Sequence, residues 1–307
     1  MKKLAHFDES LVLHQVAAAD KWSLIAQMVD ALAASAPLQA QQDRISRAML
    51  LDAVKAREKE RSTALGNGVA FPHARIPGLR RAVLCVALPQ EPVDFDAPDG
   101  QPASVVVMIL VPEDQPQIAL QLMAQFARLL SDPVEREALM GLHTVSGLRG
   151  YISRRVLEND TPVTARDIMR APVAVVHPDT PLKEVTRIMN AHLLDTIMVV
   201  EDDGALAGEI TCDNLFKLGM PHFFTQLKSI AFISEFDPFE KYFADESRAL
   251  ARDVMTHDFT PVPEDATLLE IVFELAVHQR PIVYVVRDGK CVGVIDRILV
   301  LDRVISV

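Results

Sequence analysis

Gly66-Asn67-Gly68-Val69-Ala70-Phe71-Pro72-His73-Ala74-Arg75 is the stretch around which the rest of the chain can be interpreted. It lies between a predicted helix and a predicted strand. Glycines let a backbone turn tightly and point N–H groups at an anion, and a proline stiffens the residue before the histidine. A histidine held in this way can attack phosphorus while nearby arginines bind the oxygens. The alternative is a histidine in a surface turn with no chemical role.

The composition is that of a globular protein with more than one domain. The chain has 307 residues, which exceeds one ordinary core and predicts two or three domains. Apolar residues make up 50% and charged residues 24% of the chain, and the formal net charge is −11. Nucleic-acid affinity depends mainly on cations, so a chain this acidic is not expected to bind a phosphate backbone.

The hydropathy pattern predicts no membrane insertion. The longest apolar run, from Val105 to Val111, is far shorter than the roughly 20 residues of a membrane helix. The first residues become acidic before a signal-peptide core develops, so we expect a cytoplasmic protein. Cys85, Cys212 and Cys291 are odd in number and widely spaced in apolar surroundings, which predicts reduced core residues and neither disulfides nor a metal site.

The first half alternates predicted helices with apolar strands. Asp20 is the predicted N-cap of one helix, and Asp43 that of a second helix that ends just before the quoted stretch. Two runs, Ala82 to Leu88 and Ala103 to Val111, have the character of buried strands. Apolar periodicity predicts further helices over 118–130, 134–142 and 145–157. The fold class is therefore α/β, a sandwich with its site at a loop beside a strand.

The segment from Ala56-Arg57-Glu58-Lys59 through Ser62 to His73 resembles the enzyme IIA domain of the fructose/mannitol type. The nitrogen-regulatory IIA proteins of the bacterial phosphotransferase system are especially similar. The segments 92–102 and 110–115 carry the resemblance further, and it covers about residues 4–155. In such domains the matching histidine accepts a phosphoryl group from an HPr-type phosphocarrier protein.

The resemblance implies roles for individual residues. His73 is then the phosphoacceptor, and Arg57 neutralises the phosphate. Histidine can be neutral near pH 7, as an attacking imidazole must be, and the charge that develops on phosphorus needs fixed cations or N–H donors. Arg75 is a candidate second clamp, with an exposed solubility role as the alternative. Gly66 and Gly68 are candidates for a backbone anion cradle.

One position departs from the family pattern. Family members often carry a second histidine near the start of the helix that follows the Pro-Glu-Asp-Gln loop, close to the reactive histidine. Here Ala119 stands at the matching place. Without this helper, phosphorylation as a signal is better supported than onward transfer of phosphate to a sugar-specific domain.

The second half contains a duplicated unit. Ala165-Arg166-Asp167-Ile168-Met169 recurs 86 residues later as Ala251-Arg252-Asp253-Val254-Met255, and many later positions keep this register. After a one-residue deletion, Gly204 matches Gly289 and Gly208 matches Gly293. Each unit is predicted to run as extended segment, helix, strand, turn, strand and helix.

Each repeat resembles the CBS domain, and two in tandem form the adenine-nucleotide-sensing module of many regulators. In ligand-binding examples the last strand leads into Thr/Ser-x-x-Asp, which holds ribose. The first copy has Thr211 and, at the aspartate position, Asn214, which implies ribose contacts from both. The second copy, Asp296-Arg297-Ile298-Leu299, lacks the pattern. A pair that serves dimerisation without a nucleotide is the alternative.

The predicted organisation is a IIA-type α/β sandwich over 1–157, a first CBS unit over 163–220, a connector over 221–245, and a second CBS unit over 246–307. Both CBS units are expected as β-α-β-β-α. The connector is rich in aromatic residues, from Phe223 to Phe243, and is expected to form packed helix.

Three functions remain open at this stage. The first is a cytoplasmic regulator phosphorylated on His73 by an HPr-type carrier, whose CBS pair senses an adenine nucleotide or forms a homodimer. The second is a IIA component that donates phosphate to a sugar permease domain. The third is a docking or sensor module that takes no phosphate. The first is favoured because no permease domain is fused to this chain and Ala119 replaces the helper histidine.

Overall fold

In a computed structural model the chain divides into two units, which we describe separately. The first comprises residues 1–163 together with 301–307, and the second comprises residues 164–300. The structure describes residues 4–159, 161–218, 240–245 and 248–305. Most of the predicted connector therefore lies outside the described residues, including its aromatic residues from Phe223 to Phe239.

A six-stranded mixed sheet forms the centre of the first unit. Its strands are β1 (Val12–Val16), β2 (Ala64–Gly66), β3 (Val69–Ala70), β4 (His73–Ile76), β5 (Val83–Pro89) and β6 (Val105–Pro112). They are ordered β1-β5-β6-β3-β2, and β4 also pairs with β6. Every residue of β5 and β6 is buried, as their continuous apolar runs predict for strands covered on both faces.

Helices and short helical turns surround this sheet. They are α1 (Lys21–Ala34), α2 (Ala36–Gln39), α3 (Arg47–Glu60), α4 (Gln117–Ser131), α5 (Pro133–Met140) and α6 (Val145–Ile152), a 3-10 turn (Glu9–Leu11), and two π-helical turns (Ser153–Leu157 and Leu301–Ile305). Asp20 caps α1 as predicted, and its side chain accepts a hydrogen bond from the Ser23 N–H at 2.7 Å.

The predicted cap of the second long helix was wrong. That helix, α3, begins after Ser46, whose hydroxyl oxygen accepts from the Met49 N–H at 3.2 Å. The residues before Ser46 form turns instead, in which the Ile45 N–H donates to the Gln41 carbonyl at 2.9 Å. Asp43 lies within these turns and cannot cap a helix that starts four residues later.

Two copies of one motif make up the second unit. The first copy contains α7 (Ala165–Ile168), β7 (Val175–Val176), α8 (Leu182–Ala191), β8 (Thr196–Val200), β9 (Leu206–Thr211) and α9 (Cys212–Lys217). After α10 (Glu240–Asp245), the second contains α11 (Ala251–Val254), β10 (Pro261–Pro263), α12 (Leu268–Ala276), β11 (Ile282–Arg287), β12 (Lys290–Asp296) and α13 (Arg297–Val300). Each sheet has a parallel pair followed by an antiparallel pair, which matches the predicted repeat.

The two copies exchange their leading segments. Arg170 of the first copy pairs with Val294 of the second, and Thr256 of the second pairs with Glu209 of the first. A Cβ atom added to Gly293 would lie 2.6 Å from the sulfur of Met169, so only glycine fits beneath that side chain. Gly208 is held in the same way, with the Thr256 carbonyl oxygen 2.8 Å from the position of its missing Cβ.

The three cysteines of the chain form no disulfide. Cys85, Cys212 and Cys291 are free thiols, and Cys85 is fully buried. Within the described ranges no group of three or more His, Cys, Asp or Glu side chains is arranged to hold a metal ion. No helix in the same residues combines the length and apolar character needed to cross a membrane.

Candidate functional site

His73 begins strand β4 in the first unit, and it is buried, with 5% of its surface exposed. The strand runs parallel to β6, where His73 is in register with Ile109. The Ile109 N–H donates to the carbonyl of Pro72 at 3.0 Å, which fixes the backbone just before the histidine. The imidazole is therefore held by regular strand pairing, although the sequence predicted a loop at this position.

Hydrogen bonding assigns different roles to the two ring nitrogens of His73. Nδ1 lies 2.7 Å from the carbonyl oxygen of Phe71, which can only accept, so Nδ1 carries the proton. Nε2 is buried and has no hydrogen-bond partner among the described residues. Burial lowers the pKa of His73 to about 4, and the charges of Arg57 and Arg75 act in the same direction. The ring is thus neutral near pH 7, with the Nε2 lone pair available.

Arg57 lines the same cavity as His73, although the two residues are far apart in sequence. It lies on α3, which packs against β4. One guanidinium nitrogen, Nη1, donates to the Arg61 carbonyl at 3.2 Å. The Nε–H of Arg57 is buried and lacks a partner within the described part of the chain. An unpaired cationic donor and an unpaired imidazole nitrogen therefore border one cavity.

The cavity has a volume of about 280 Å³. Its walls come from α3 and β4, namely Ala53, Ala56, Arg57, Glu60, His73, Ala74 and Arg75. His73 and Arg75 are two residues apart on a strand and so lie on the same face of it. The α3 residues follow the i, i+3, i+4, i+7 spacing of one helix face, and the two alanines leave room for an oxyanion. Glu60, Ala53 and Ala56 were not predicted to lie at the site, although their helical spacing from Arg57 could have indicated it.

A buried carboxylate next to Arg57 positions the end of α3. Glu58 is only 3% exposed and accepts hydrogen bonds from the backbone N–H and the hydroxyl of Thr63. The Lys21 ammonium lies 3.4 Å from the same carboxylate and 2.6 Å from Asp96. These contacts join α3 to α1 and to the start of β2, and they fix where the neighbouring Arg57 can point.

The structure does not bring Gly66 and Gly68 to the His73 cavity. Both glycines and Asn67 between them have positive φ angles, so the predicted tight turn is present. However, the Asn67 N–H donates to the carboxylate of Asp99 at 2.6 Å, and the Asn67 carbonyl accepts from Arg136 at 2.6 Å. The anion bound at this turn is thus a side chain of the protein itself.

Ala119, at the place of the family's helper histidine, is fully buried in the first turn of α4. It is not among the described residues that line the His73 cavity. The methyl group offers neither a donor nor an acceptor, so the imidazole of His73 receives no second-histidine contact from this position.

Thr211 and Asn214, the predicted ribose contacts, bind each other. Thr211 caps α9, and its hydroxyl oxygen accepts from the Asn214 N–H at 3.0 Å. The Thr211 hydroxyl in turn donates to the side-chain oxygen of Asn214. At the equivalent place in the second copy, Asp296 caps the following helix by accepting from the Leu299 N–H at 2.7 Å.

A cleft of about 420 Å³ opens beside Asp296 in the second unit. Arg170 and Arg297 border it together with Asp296, and Arg170 donates to the Asp296 carboxylate at 2.8 Å. Apolar side chains, including Val173, complete the wall. The size is within the range of small-molecule sites in proteins.

The first unit is thus a IIA-like α/β domain with a buried, neutral histidine facing an arginine, and the second is a tandem repeat. Comparisons with known proteins agree with both halves. The family model described as "Phosphoenolpyruvate-dependent sugar phosphotransferase system, EIIA 2" matches residues 5–154. The CBS domain model matches residues 165–220 and 251–305.

Relatives with known names match the first half of the chain. A nitrogen regulatory protein of Pseudomonas aeruginosa is 40% identical over 93 residues, which are 30% of this chain and 60% of that protein. One of Bradyrhizobium diazoefficiens is 39% identical over 107 residues, 34% of this chain and 67% of that protein. The crystal structure of nitrogen regulatory protein IIA-Ntr from Neisseria meningitidis is 31% identical, with a TM-score of 0.43 over 47% of this chain and 94% of that one.

The chain belongs to the EIIA 2 family of the phosphotransferase system through its first half, and it carries two CBS domains in its second half. The matched segment spans 60% of the first of these relatives and 67% of the second. This combination supports a regulatory protein of the phosphotransferase-system type.

Proposed function

We propose that this protein is a cytoplasmic regulator that takes a phosphoryl group on Nε2 of His73 from an HPr-type phosphocarrier protein. In this proposal its CBS pair senses an adenine nucleotide and joins two copies of the chain into a homodimer. The downstream target is a further protein whose binding depends on the phosphorylation state. Phosphate donation to a sugar permease domain is the less favoured alternative, because Ala119 provides no helper imidazole.

One observation carries the phosphorylation proposal. Nε2 of His73 and Nε of Arg57 are both buried, both lack a partner in the described residues, and both belong to side chains that border one cavity. Buried polar atoms are nearly always paired, so an unpaired acceptor beside an unpaired cationic donor indicates a missing group. A phosphoryl group fits both, because its phosphorus bonds to the imidazole and its oxygens accept from the guanidinium.

The transfer step follows from the ring geometry. The Nε2 lone pair attacks the phosphorus of the phosphorylated carrier, an N–P bond forms at Nε2, and the P–N bond of the carrier breaks. The electron pair of that bond returns to the carrier's imidazole. The Nδ1 proton stays on His73, and its hydrogen bond to the Phe71 carbonyl stabilises the positive charge that the ring gains. Arg57 and Arg75 offset the charge on the phosphoryl oxygens.

Radiolabelling tests this proposal directly. The full chain is incubated with labelled phosphoenolpyruvate, enzyme I and an HPr-type carrier, and the expected product is an acid-labile phosphoprotein. His73→Ala should carry no label. Arg57→Met should be labelled about 100-fold more slowly, the usual cost of losing one donor that stabilises transition-state charge.

Lys59→Met is the matched control, since it removes a cation from the same helix outside the cavity. It should be labelled at the wild-type rate. Absence of label on the wild-type chain with every carrier would contradict both phosphotransfer functions and favour a docking module. Transfer of the label onward to a sugar permease domain would favour the transport alternative.

A further inference from the structure

The two copies of the repeat place equivalent residues on two faces of the second unit. One face has an open cleft, and side chains of the protein fill the other. In the alignment of the two copies, Arg170 corresponds to Thr256 and Leu194 corresponds to Arg280. After the one-residue deletion it places Asp296 with Thr211. The open cleft beside Asp296 therefore has a counterpart beside Thr211. That counterpart is the face on which Thr211 and Asn214 were predicted to hold ribose.

Side chains of the protein occupy the counterpart face. Arg280, where the open cleft has Leu194, donates to the Asp258 carboxylate at 2.6 Å and to its backbone carbonyl at 3.0 Å. Phe259 packs edge-on against the Tyr284 ring, with the centroids 6.1 Å apart. The ion pair of Arg280 and Asp258 therefore occupies the positions of Leu194 and Pro172 in the open cleft. Phe259 likewise occupies the position of the smaller Val173.

A buried carboxylate closes the same face more tightly. Glu209 is 5% exposed and accepts a hydrogen bond from the Tyr284 hydroxyl at 2.6 Å. Its counterpart in the open cleft is Val294, which has no polar group to pair. Separating the Glu209–Tyr284 pair would leave a buried carboxylate with no hydrogen bond, which is strongly unfavourable. A ligand on this side would have to displace these groups.

The open cleft has the opposite character. Arg170 is one-third exposed, and its described partner is the Asp296 carboxylate at 2.8 Å. Asp296 keeps a second role without Arg170, because its other oxygen caps the next helix through the Leu299 N–H. Arg297 adds a second cation, held by the Leu275 carbonyl at 2.9 Å. Arg170 can thus leave Asp296 for another anion while the cap stays in place.

We infer that each chain binds a single phosphorylated ligand with an apolar ring, in the open cleft, and that Arg170 exchanges Asp296 for the phosphate of that ligand. Guanidinium groups bind phosphate through paired hydrogen bonds, and the apolar wall around Val173 and Ile282 receives the ring. This inference rests on the proposed ligand-sensing function of the CBS pair. It differs from the sequence-based expectation, which assigned the ligand to Thr211 and Asn214.

Isothermal titration of the full chain with AMP, ATP and adenosine tests the inference. We expect one nucleotide per chain, and binding of adenosine at least 10-fold weaker than that of AMP, since adenosine lacks the phosphate. Arg170→Met should weaken AMP binding by about 10- to 100-fold, the usual cost of losing one hydrogen bond to a charged group. Asn214→Ala, on the filled face, should bind AMP as the wild type does.

Each other result overturns the assignment. Two nucleotides per chain, equal binding of adenosine, or loss of binding in Asn214→Ala would retain ligand sensing but move the ligand out of this cleft. No binding of AMP or ATP by the wild type would also contradict the inference. Labelling of His73 in the same preparations reports the phosphotransfer function independently, and a wild-type melting curve for Arg170→Met excludes misfolding as the cause of its weaker binding.

Discussion

At the scale of single residues, the two ring nitrogens of His73 lie in different environments. The Phe71 carbonyl accepts a hydrogen bond from Nδ1–H at 2.7 Å, while Nε2 faces a cavity that Arg57, a cationic donor, also lines. An unperturbed histidine is partly protonated near pH 6.5 and would then be no nucleophile. Burial and two arginines keep the ring of His73 neutral over the physiological range. The position of His73 in strand β4 therefore fixes the orientation of its ring and keeps the ring neutral.

The first residue-scale prediction concerns the pH dependence of His73. Its folded-state pKa of about 4 lies below the usual value, so the ring should stay neutral as pH falls from 8 to about 5 and protonate only below that. Long-range ¹H–¹⁵N NMR should report a protonated Nδ1 and a bare Nε2 throughout this range. After phosphorylation, the phosphorus coupling should appear on Nε2.

Arg57→Met provides the matched comparison for this measurement. The charge of Arg57 lowers the pKa of His73 less than burial does. The titration midpoint of His73 in Arg57→Met should therefore rise but remain below that of a free imidazole. A wild-type midpoint near 6.5, or phosphorus attached to Nδ1, would contradict the assignment of Nε2 as the nucleophile.

Some residue-scale features could be predicted from the sequence, and others depend on the fold. The turn at Gly66 and Gly68 follows from glycine content alone, and its positive φ angles agree. Its anion could not be predicted, because Asp99 is 32 residues away from Asn67 and reaches it only through the tertiary fold. Likewise Arg57 reaches His73 only because α3 packs on β4. The local sequence predicts the backbone conformation of a turn. It does not predict which side chain from a distant part of the sequence contacts that turn.

At the scale of elements, predictability depended on length and continuity. The long apolar runs of β5 and β6 predicted strands within two residues of their true ends. The short strands β1 to β4 were missed, since two to five residues carry too little alternation to be recognised. His73 was therefore assigned to a loop, although it lies in a strand that pairs with β6.

Two equivalent helices of the repeat differ in their outward faces. In α8 two of the exposed positions are the cations Lys183 and Arg187. In α12 the corresponding positions are Leu269, which is 78% exposed, and Phe273, which is 46% exposed. Val277 continues the apolar face with 61% exposure. An exposed apolar face of this kind on one copy alone marks a contact surface.

The element-scale prediction assigns this face to the proposed homodimer. A two-fold axis brings the same surface of both chains together, so α12 would bury its apolar residues against α12 of a second copy. Phe273→Arg introduces the residue that α8 carries at the equivalent place. Light scattering after size-exclusion chromatography should then report a monomer, while the wild type is a dimer.

The control for this prediction is Val134→Arg, which places the same charge on an isolated apolar residue that is 75% exposed on α5. It should remain dimeric. A dimer of unchanged stability in Phe273→Arg, or a monomeric wild type, would exclude α12 as the interface. Thermal unfolding of Val134→Arg should match the wild type, because its side chain is 75% exposed. Phe273→Arg should keep the wild-type circular dichroism spectrum but melt at a lower temperature, since it loses the stability that dimerisation contributes.

At the scale of the whole molecule, the repeat was the most predictable feature. Equal spacing of many residues indicates a duplication without any knowledge of the fold, and the two sheets share one topology. The difference between the two faces was not predicted. It depends on Glu209 meeting Tyr284 and on Arg280 meeting Asp258, contacts that join one copy to the other or close a loop. Motif matching pointed to Thr211 instead, on the filled side.

The last prediction concerns the two halves together. If the protein is a regulator, the nucleotide bound by the CBS pair must change the equilibrium of phosphoryl transfer to His73, because a ligand with no differential effect on two states shifts nothing. Thermodynamic linkage then requires phosphorylation of His73 to change nucleotide affinity by the same factor, typically about 5- to 150-fold.

Two measurements check this: the phosphoryl equilibrium between the carrier and His73 with and without saturating AMP, and AMP titrations of the phosphorylated and unphosphorylated chain at pH 8. Arg170→Met should lose the AMP effect on phosphoryl transfer at concentrations that saturate the wild type. If AMP leaves the phosphoryl equilibrium unchanged and phosphorylation leaves the AMP affinity unchanged, the two halves act independently. The CBS pair would then serve dimerisation alone.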